Sequence, residues 1–354
     1  MKKTRAVAAT GVAAALLTLS ATSSYAHACH EPRPAQGPSS SATPYLLPSI
    51  DGVSTTSLLT VGDAVDGYRL AGIPDGLGAF DNHDGTFTLL VNHELGSSLG
   101  VVRDHGAKGA FVSRWIVDKR TLKVLSGDDL MKTVYDWQGG AWVASTLTFG
   151  RFCSGDLPPV SAFWDGDSRR GTRDRIYLNG EENGAEGRAV AHVVTGPEAG
   201  TSYVLPWLGK FSWENAVAKP GYGKKTVVVG TDDSTPGQVY VYIGEKRKTG
   251  NAVERAGLVG GKVYGVKVDG ITTEVADATI AQGTSRGFSL VPLGVDGDVS
   301  ALTGAQLQAD SLAKGISEMA RPEDASWDPS DSSGLYERVR RAHPAVALRL
   351  RQVS

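Results

Sequence analysis

Residues 226–243 read TVVVGTDDSTPGQVYVYI and indicate the fold of the whole chain. A run of β-branched residues leads into an acidic turn with Pro and Gly, and a second run then alternates apolar and aromatic residues. Short runs of these residue types, bounded by turn residues, are typical of antiparallel β-hairpins. The segment therefore predicts two strands joined by a turn.

Similar apolar runs, separated by turn residues, recur on both sides of this segment. The further predicted strands are residues 86–92, 111–117, 122–125, 175–178, 189–194 and 262–268. Loose repetition of short hairpins predicts an all-β fold, β-propeller-like with irregular insertions, and a β-sandwich is the alternative. Helical signals are few, and the best is the apolar spacing of residues 303–318, which Gly315 weakens.

The first 59 residues are expected to lie outside the folded domain. Residues 1–26 have a basic start, a short apolar stretch and small residues at Ser24 and Ala26, which together predict a signal peptide and a secreted product. The apolar stretch is too short for a membrane anchor, so no stable membrane insertion is expected. Residues 27–59, rich in Pro and Ser near their start, predict a flexible segment before a domain at 60–336.

Composition restricts the classes of function. The chain has 354 residues, of which 41% are hydrophobic, so a sizeable core is possible and global disorder is not. The net charge of -2 gives no basic surplus of the kind that nucleic-acid-binding proteins carry. Nucleic acid is therefore not an expected partner, and we expect a monomer.

The two cysteines, Cys29 and Cys153, allow two interpretations. Outside the cell, two cysteines could form a disulfide. Cys29, however, lies in the segment expected to be flexible, which makes it a poor partner for a cysteine far along the chain. The alternative is that Cys153 is a free thiol that binds a metal ion.

Acidic clusters follow or begin many of the predicted strands, and four glutamates stand beside apolar or aromatic residues: Glu94, Glu182, Glu214 and Glu323. Acidic residues at strand ends are usually solvated turn residues. If these instead point into one funnel, their mutual repulsion and desolvation require cations. Carboxylates suit calcium, and a thiolate beside them suits a softer metal such as iron. No HExxH, CxxC or P-loop motif offers another chemistry.

Several of these segments resemble, in the same order, motifs of the PhoX-like alkaline phosphatases. The resemblance runs from about residue 75 to 328 and rests on PDGLGAF (74–80) with LLVNHE (89–94), CSG (153–155) with NGEEN (179–183), SWE (212–214) with the 227–240 stretch, and RPED (321–324). One departure is Trp213, where the family usually has His before Glu.

The resemblance implies a β-propeller with irregular insertions and, at its centre, an iron and calcium cluster that hydrolyses phosphomonoesters, so the partner is a small-molecule substrate. Carried over by position, Cys153 binds iron, Glu214 and Glu323 are acidic ligands of the cluster, and Glu94 and Glu182 are further ligands. Arg321 is the catalytic residue that contacts phosphate, because a guanidinium fork matches phosphate oxygens. A non-catalytic calcium-binding propeller and a calcium-dependent hydrolase of the lactonase type remain alternatives, and neither needs a thiol.

The C-terminal residues 337–354 are rich in arginine, unlike the rest of the chain. They could form a basic amphipathic helix, which would pack on the protein surface or bind a membrane or partner. The abrupt change of composition favours a lost reading frame or a truncation instead. On this hypothesis the propeller is incomplete at its C-terminus, and residues 337–354 are a helix or coil that packs little against it.

Overall fold

The structure is a computed structural model that describes residues 34–274, 285–331, 333–339 and 346–349. These residues form mainly strands. The first twelve are β1 (Pro34–Gln36), β2 (Thr55–Ser57), β3 (Ala64–Val65), β4 (Tyr68–Arg69), β5 (Pro74–Asp81), β6 (Thr86–His93), β7 (Phe111–Asp118), β8 (Val124–Asp129), β9 (Thr133–Gln138), β10 (Ala141–Ser145), β11 (Phe152–Asp156) and β12 (Trp164–Asp165). The others are β13 (Arg170–Gly171), β14 (Ile176–Glu181), β15 (Ala189–Val193), β16 (Thr201–Val204), β17 (Trp213–Ala218), β18 (Lys225–Asp232), β19 (Val239–Glu245), β20 (Lys262–Val268), β21 (Phe288–Pro292), β22 (Pro322–Trp327), β23 (Gly334–Val339) and β24 (Val346–Arg349).

Four sheets contain most of these strands. Sheet I is β5-β6-β7-β8 and sheet III is β17-β18-β19-β20-β21, both antiparallel and in chain order. Sheet II has the order β10-β9-β16-β15-β14-β11, with one parallel pair between β9 and β16, and sheet IV is β22-β23-β24. The pairs β1/β2, β3/β4 and β12/β13 form small two-stranded sheets.

One edge strand of each large sheet faces a common centre. These inner strands are β5, β11, β17 and β22. Strand β11 contacts both β5 and β17, and β17 contacts β22, so the sheets stand side by side like blades. The predicted all-β, propeller-like fold is thus confirmed, and in the described part of the chain none of the sheets closes on itself.

A tryptophan fixes the centre of this arrangement between sheets II and III. Trp213, on β17, is fully buried and stacks on Phe211 with ring centroids 3.9 Å apart. A Cβ atom at Gly180 would lie 2.4 Å from the Trp213 Cβ, and one at Gly230 would lie 2.6 Å from its ring. The two glycines therefore let β17 pack closely against its neighbours.

The helical prediction at residues 303–318 is confirmed by helix α2, Gly304–Lys314; the first helix is the short α1, Ala252–Arg255. Thr303 and Gln306 form a capping box at the start of α2. Gly315 does not weaken the helix but ends it, because its backbone has φ 69°, a left-handed conformation that suits glycine. The two 3-10 helices are Val160–Ala162 and Pro206–Leu208.

The N-terminal segment differs from its prediction. Part of the stretch expected to be flexible forms the parallel pair β1/β2, and the Ser39 hydroxyl accepts a hydrogen bond of 3.0 Å from the Val124 amide in sheet I. Polar side chains and backbone pairing thus hold a segment in which large apolar residues such as Tyr45, Leu46 and Leu47 stay exposed. The predicted signal peptide (1–26) and Cys29 lie outside the described residues. Within the described ranges, no helix is long and apolar enough to cross a membrane.

The C-terminal prediction of a helix or coil is wrong for the described part of the tail. Strand β23 runs through Val339, past the boundary drawn after Tyr336, and Val346–Arg349 pairs with it as β24. A short apolar run such as VAL (346–348) cannot distinguish a helix from a strand by periodicity alone. The lost reading frame stays a prediction.

Candidate metal centre

Each inner strand begins with a β-bulge at the same relative position. Pairing registers shift between Pro74 and Leu77, Phe152 and Gly155, Trp213 and Asn215, and Pro322 and Ala325. The second residue of each inner strand lies in the bulge: Asp75, Cys153, Glu214 and Glu323. Bulges redirect side chains and are common next to active sites. The four sheets therefore present equivalent titratable residues to one region.

The partner strands add three more carboxylates at the same level. Residues Pro74, Phe152 and Trp213 pair with His93, Glu181 and Asp232, respectively. The residue that follows each partner is acidic: Glu94, Glu182 and Asp233. Because the three registers are equivalent, sheets I, II and III each place two potential ligands side by side.

Cys153 lies at the centre of this arrangement. Its Sγ is 3.2 Å from Glu214 Oε1 and 3.6 Å from Asp75 Oδ2. Two sets of donor atoms each lie within 4.8 Å of one another: Asp75, Glu94 and Cys153 in one, and Cys153, Glu182 and Glu214 in the other. Cys153 is a buried free thiol and belongs to both sets.

Two arginines and one serine connect the surrounding carboxylates. Arg151 donates from Nε to Glu94 Oε1 at 2.7 Å and from Nη2 to Glu182 Oε2 at 2.5 Å. Arg321 binds Asp233 through Nε and Nη2, and its Nη2 is 3.5 Å from Glu323 Oε1. The Ser154 hydroxyl lies 2.9 Å from Glu214 Oε1 and 2.8 Å from Asp324 Oδ1.

The electrostatics of the cluster indicate a need for cations. Burial raises the pKa of Glu182 and that of Glu214 to about 7, and burial with the Glu94 charge raises the pKa of Asp75. Burial, with the charges of Glu214 and Asp75, also raises the pKa of the Cys153 thiol. One Ser154 proton cannot serve both of its carboxyl neighbours, so the cluster without cations must hold extra protons.

The donor set fits the metals that the sequence suggested. The cluster contains seven carboxyl groups and only two guanidinium groups: Asp75, Glu94, Glu182, Glu214, Asp233, Glu323, Asp324, Arg151 and Arg321. Carboxylate oxygens are calcium ligands, and a thiolate among them suits iron. The acidic groups with raised pKa values keep their protons to higher pH, and bound cations would displace these protons.

The structure brings four of the five predicted metal ligands together: Cys153, Glu214, Glu182 and Glu94. Glu323 lies in the same region but beside Arg321, outside the two donor sets. Sequence reasoning left five participants out of its predicted site: Asp75, Asp233, Asp324, Ser154 and Arg151. An alignment of the first residues of the four inner strands would have identified Asp75. It is the second residue of its strand, as are Cys153, Glu214 and Glu323.

The histidine and tryptophan next to the acidic residues have structural roles. His93 is fully buried, donates from Nδ1 to the Ala71 carbonyl at 3.0 Å and accepts at Nε2 from Ser113. Burial lowers its pKa to about 4, so it stays neutral. Trp213 points into the core, where its Nε1 donates to the Gly209 carbonyl at 3.3 Å. The absence of a histidine at position 213 therefore removes no group from the donor sets.

A buried hydrogen-bond chain supports the backbone at Cys153. Asn92 Nδ2 donates to the Cys153 carbonyl at 2.7 Å, and Asn179 Nδ2 donates to Asn92 Oδ1 at 3.0 Å. His192 Nε2 donates to Asn179 Oδ1 at 2.9 Å, and its Nδ1 accepts from Ser202 at 2.8 Å. Burial lowers the pKa of His192 to about 3, so the ring is neutral and the chain is satisfied.

Breaking this chain is expected to weaken the metal centre. Asn179→Ala leaves the Asn92 oxygen and the His192 N–H without partners, which should cost about 2–4 kcal/mol of unfolding free energy. Metal affinity should fall about ten-fold, because supporting hydrogen bonds position ligands. Urea denaturation and metal titration measure the two effects. Asn82→Ala, in a partly exposed turn, is the control and should change metal affinity little; equal affinity in both variants would contradict the role of Asn179.

Comparison with known proteins adds information about the fold. No family model and no curated protein matches the sequence. Among solved structures, the chain is similar to Pseudomonas fluorescens PhoX in complex with vanadate, a transition state analogue, with a TM-score of 0.53 and 15% sequence identity. The match covers 76% of this chain and 58% of the PhoX chain. This chain thus shares a fold with PhoX but matches little more than half of its length.

Proposed function

We propose that this chain is a secreted, metal-dependent phosphomonoesterase that binds iron and calcium at the cluster around Cys153. The observation that carries the proposal is the meeting of a thiol with two sets of carboxylates beside Arg321, at equivalent bulges of the inner strands. The PhoX structure of similar fold was determined with vanadate, a transition state analogue, which supports phosphoryl chemistry for this fold.

The chain's own residues would bind and orient the substrate. Asp233 holds the Arg321 guanidinium through two nitrogens, which fixes its plane at the edge of the cluster. A planar guanidinium matches the oxygens of a phosphoryl group. Cys153, Glu214, Glu182, Glu94 and Asp75 would hold the cations, with Glu323 as a further ligand. When bound, the cations would neutralise the phosphate and the charge on the leaving oxygen.

Cys153 separates this proposal from its alternatives. A calcium-binding propeller without activity, or a lactonase-type calcium hydrolase, needs only hard oxygen donors. Here the thiol is common to both donor sets and has Glu214 Oε1 3.2 Å away. Such a position suits an iron-binding thiolate, whose proton is lost when the metal binds.

The test is elemental analysis of the exported protein, followed by an assay with p-nitrophenyl phosphate at alkaline pH. We expect both iron and calcium in the purified chain, and hydrolysis that a chelator abolishes. Calcium without iron and without hydrolysis would favour the non-catalytic propeller. Hydrolysis that persists after complete metal removal would contradict a metal-dependent mechanism.

A further inference from the structure

Arg151 and Arg321 occupy equivalent positions in two sheets. Each directly precedes the first residue of an inner strand, β11 or β22. Each has a left-handed backbone, with φ 51° for Arg151 and φ 57° for Arg321. Such a conformation is unusual for a residue other than glycine and clusters at functional sites. The same strained arrangement thus occurs twice around the cluster.

The two side chains are also held in the same way. Each arginine donates to the carboxylate at the end of the preceding sheet's second strand: Arg151 to Glu94 and Arg321 to Asp233. Each also lies beside a carboxylate of its own sheet, Glu182 for Arg151 and Glu323 for Arg321. Buried carboxylates therefore orient both guanidinium groups, and little further ordering is needed when a ligand binds.

Both guanidinium groups keep unused donors at the surface. The Arg151 side chain is 46% exposed and that of Arg321 is 33% exposed. Their hydrogen bonds use Nε and Nη2, and within the described residues neither Nη1 makes a hydrogen bond. Arg151 binds Glu182, which shares a donor set with Glu214, and the Ser154 hydroxyl links Glu214 to Asp324, three positions after Arg321, so both arginines border the same cluster.

We propose that Arg151 is a specificity-determining residue that binds a second anionic group of the substrate, next to the phosphoryl group bound by Arg321. The inference rests on the proposed function and adds a substrate class: phosphate monoesters that carry a carboxylate close to the ester. Cations in the donor sets neutralise the carboxylates there, which leaves both guanidinium groups as sites for anions. A planar guanidinium binds a carboxylate through two parallel hydrogen bonds.

Direct binding tests this inference without turnover. The probes are phosphonoacetate, which has a phosphonate and a carboxylate, and methylphosphonate, which lacks the carboxylate; calorimetry on metal-loaded protein gives both affinities. We expect the wild type to prefer phosphonoacetate about ten-fold, the effect of one charged hydrogen-bonded contact. With both proteins saturated with metal, Arg151→Gln should lose this preference and bind the two phosphonates with similar affinities.

The matched control is Arg169→Gln. Arg169 is an exposed arginine with a left-handed backbone, φ 53°, that takes no part in the cluster contacts described above. It should retain the preference for phosphonoacetate.

Three outcomes would overturn the inference: an unchanged preference in Arg151→Gln, loss of metal from that variant, or no binding of either phosphonate. If the protein has no phosphatase activity but prefers phosphonoacetate in a way that depends on Arg151, the inference is supported and the proposed function is contradicted.

Discussion

Cys153→Ser is expected to remove iron from the protein and to reduce phosphatase activity to background, a loss of more than about 100-fold. Cys153 supplies a donor atom to both sets of ligands, so this one substitution removes a ligand from each set. A serine hydroxyl is a hard donor and does not ionise at neutral pH. It therefore cannot replace the thiolate as an iron ligand. Elemental analysis and the visible absorption of the iron–thiolate bond measure the loss.

Cys29→Ser is the matched control for this experiment. It removes the other cysteine of the chain and should change neither metal content nor activity. If Cys29→Ser instead reproduces the loss, the disulfide interpretation of the two cysteines gains support. Retention of iron and full activity by Cys153→Ser would show that the thiol is not a ligand.

Glu214→Gln is expected to have opposite effects on the metal-loaded and metal-free protein. In the loaded protein it removes a ligand, so metal affinity and activity should fall. In the metal-free protein it removes a buried carboxyl group whose pKa is raised from 4.5 to about 7. That shift corresponds to about 3 kcal/mol of lost stability above pH 7. The metal-free variant should therefore unfold about 5 °C higher than metal-free wild type at pH 8.

The pH dependence of this effect has a definite sign. An unfolded glutamate ionises near pH 4.5, whereas folded Glu214 keeps its proton until about pH 7. The penalty is therefore absent below pH 4.5, grows as the pH rises to about 7 and is complete above that pH. Metal-free wild type should lose stability over this range, and Glu214→Gln should lose less of it.

Thermal denaturation with and without chelator, at pH 5 and pH 8, separates the cases. The control is Glu245→Gln at an exposed glutamate that pairs with Arg170, and it should shift the midpoint by less than about 2 °C. If the unfolding midpoint of the wild type is the same with and without chelator, the cluster binds no cation that stabilises the fold. A metal-free Glu214→Gln less stable than metal-free wild type would contradict the proposed repulsion.

The sequence by itself predicted the secondary structure where local rules are strong. The β-branched and aromatic runs at residues 226–230 and 238–243 form β18 and β19, and the apolar spacing at 303–318 corresponds to α2. The tail at 346–349 was misjudged because a run of only four residues, VALR, has no period that separates a helix from a strand; pairing with β23 selected the strand.

For the candidate site, the sequence supplied the residue types, and the tertiary structure decided which of them meet. Cys153, Glu214, Glu182 and Glu94 were foreseen as candidate ligands, since acidic residues and a thiol beside apolar runs require an explanation. Asp75 and Arg151 were not, because their importance depends on contacts with residues 31 or more positions away. A β-bulge shifts the two-residue alternation and turns one side chain toward the centre, and where it occurs depends on pairing between strands. Only the folded arrangement of the four inner strands brings these bulges to one place.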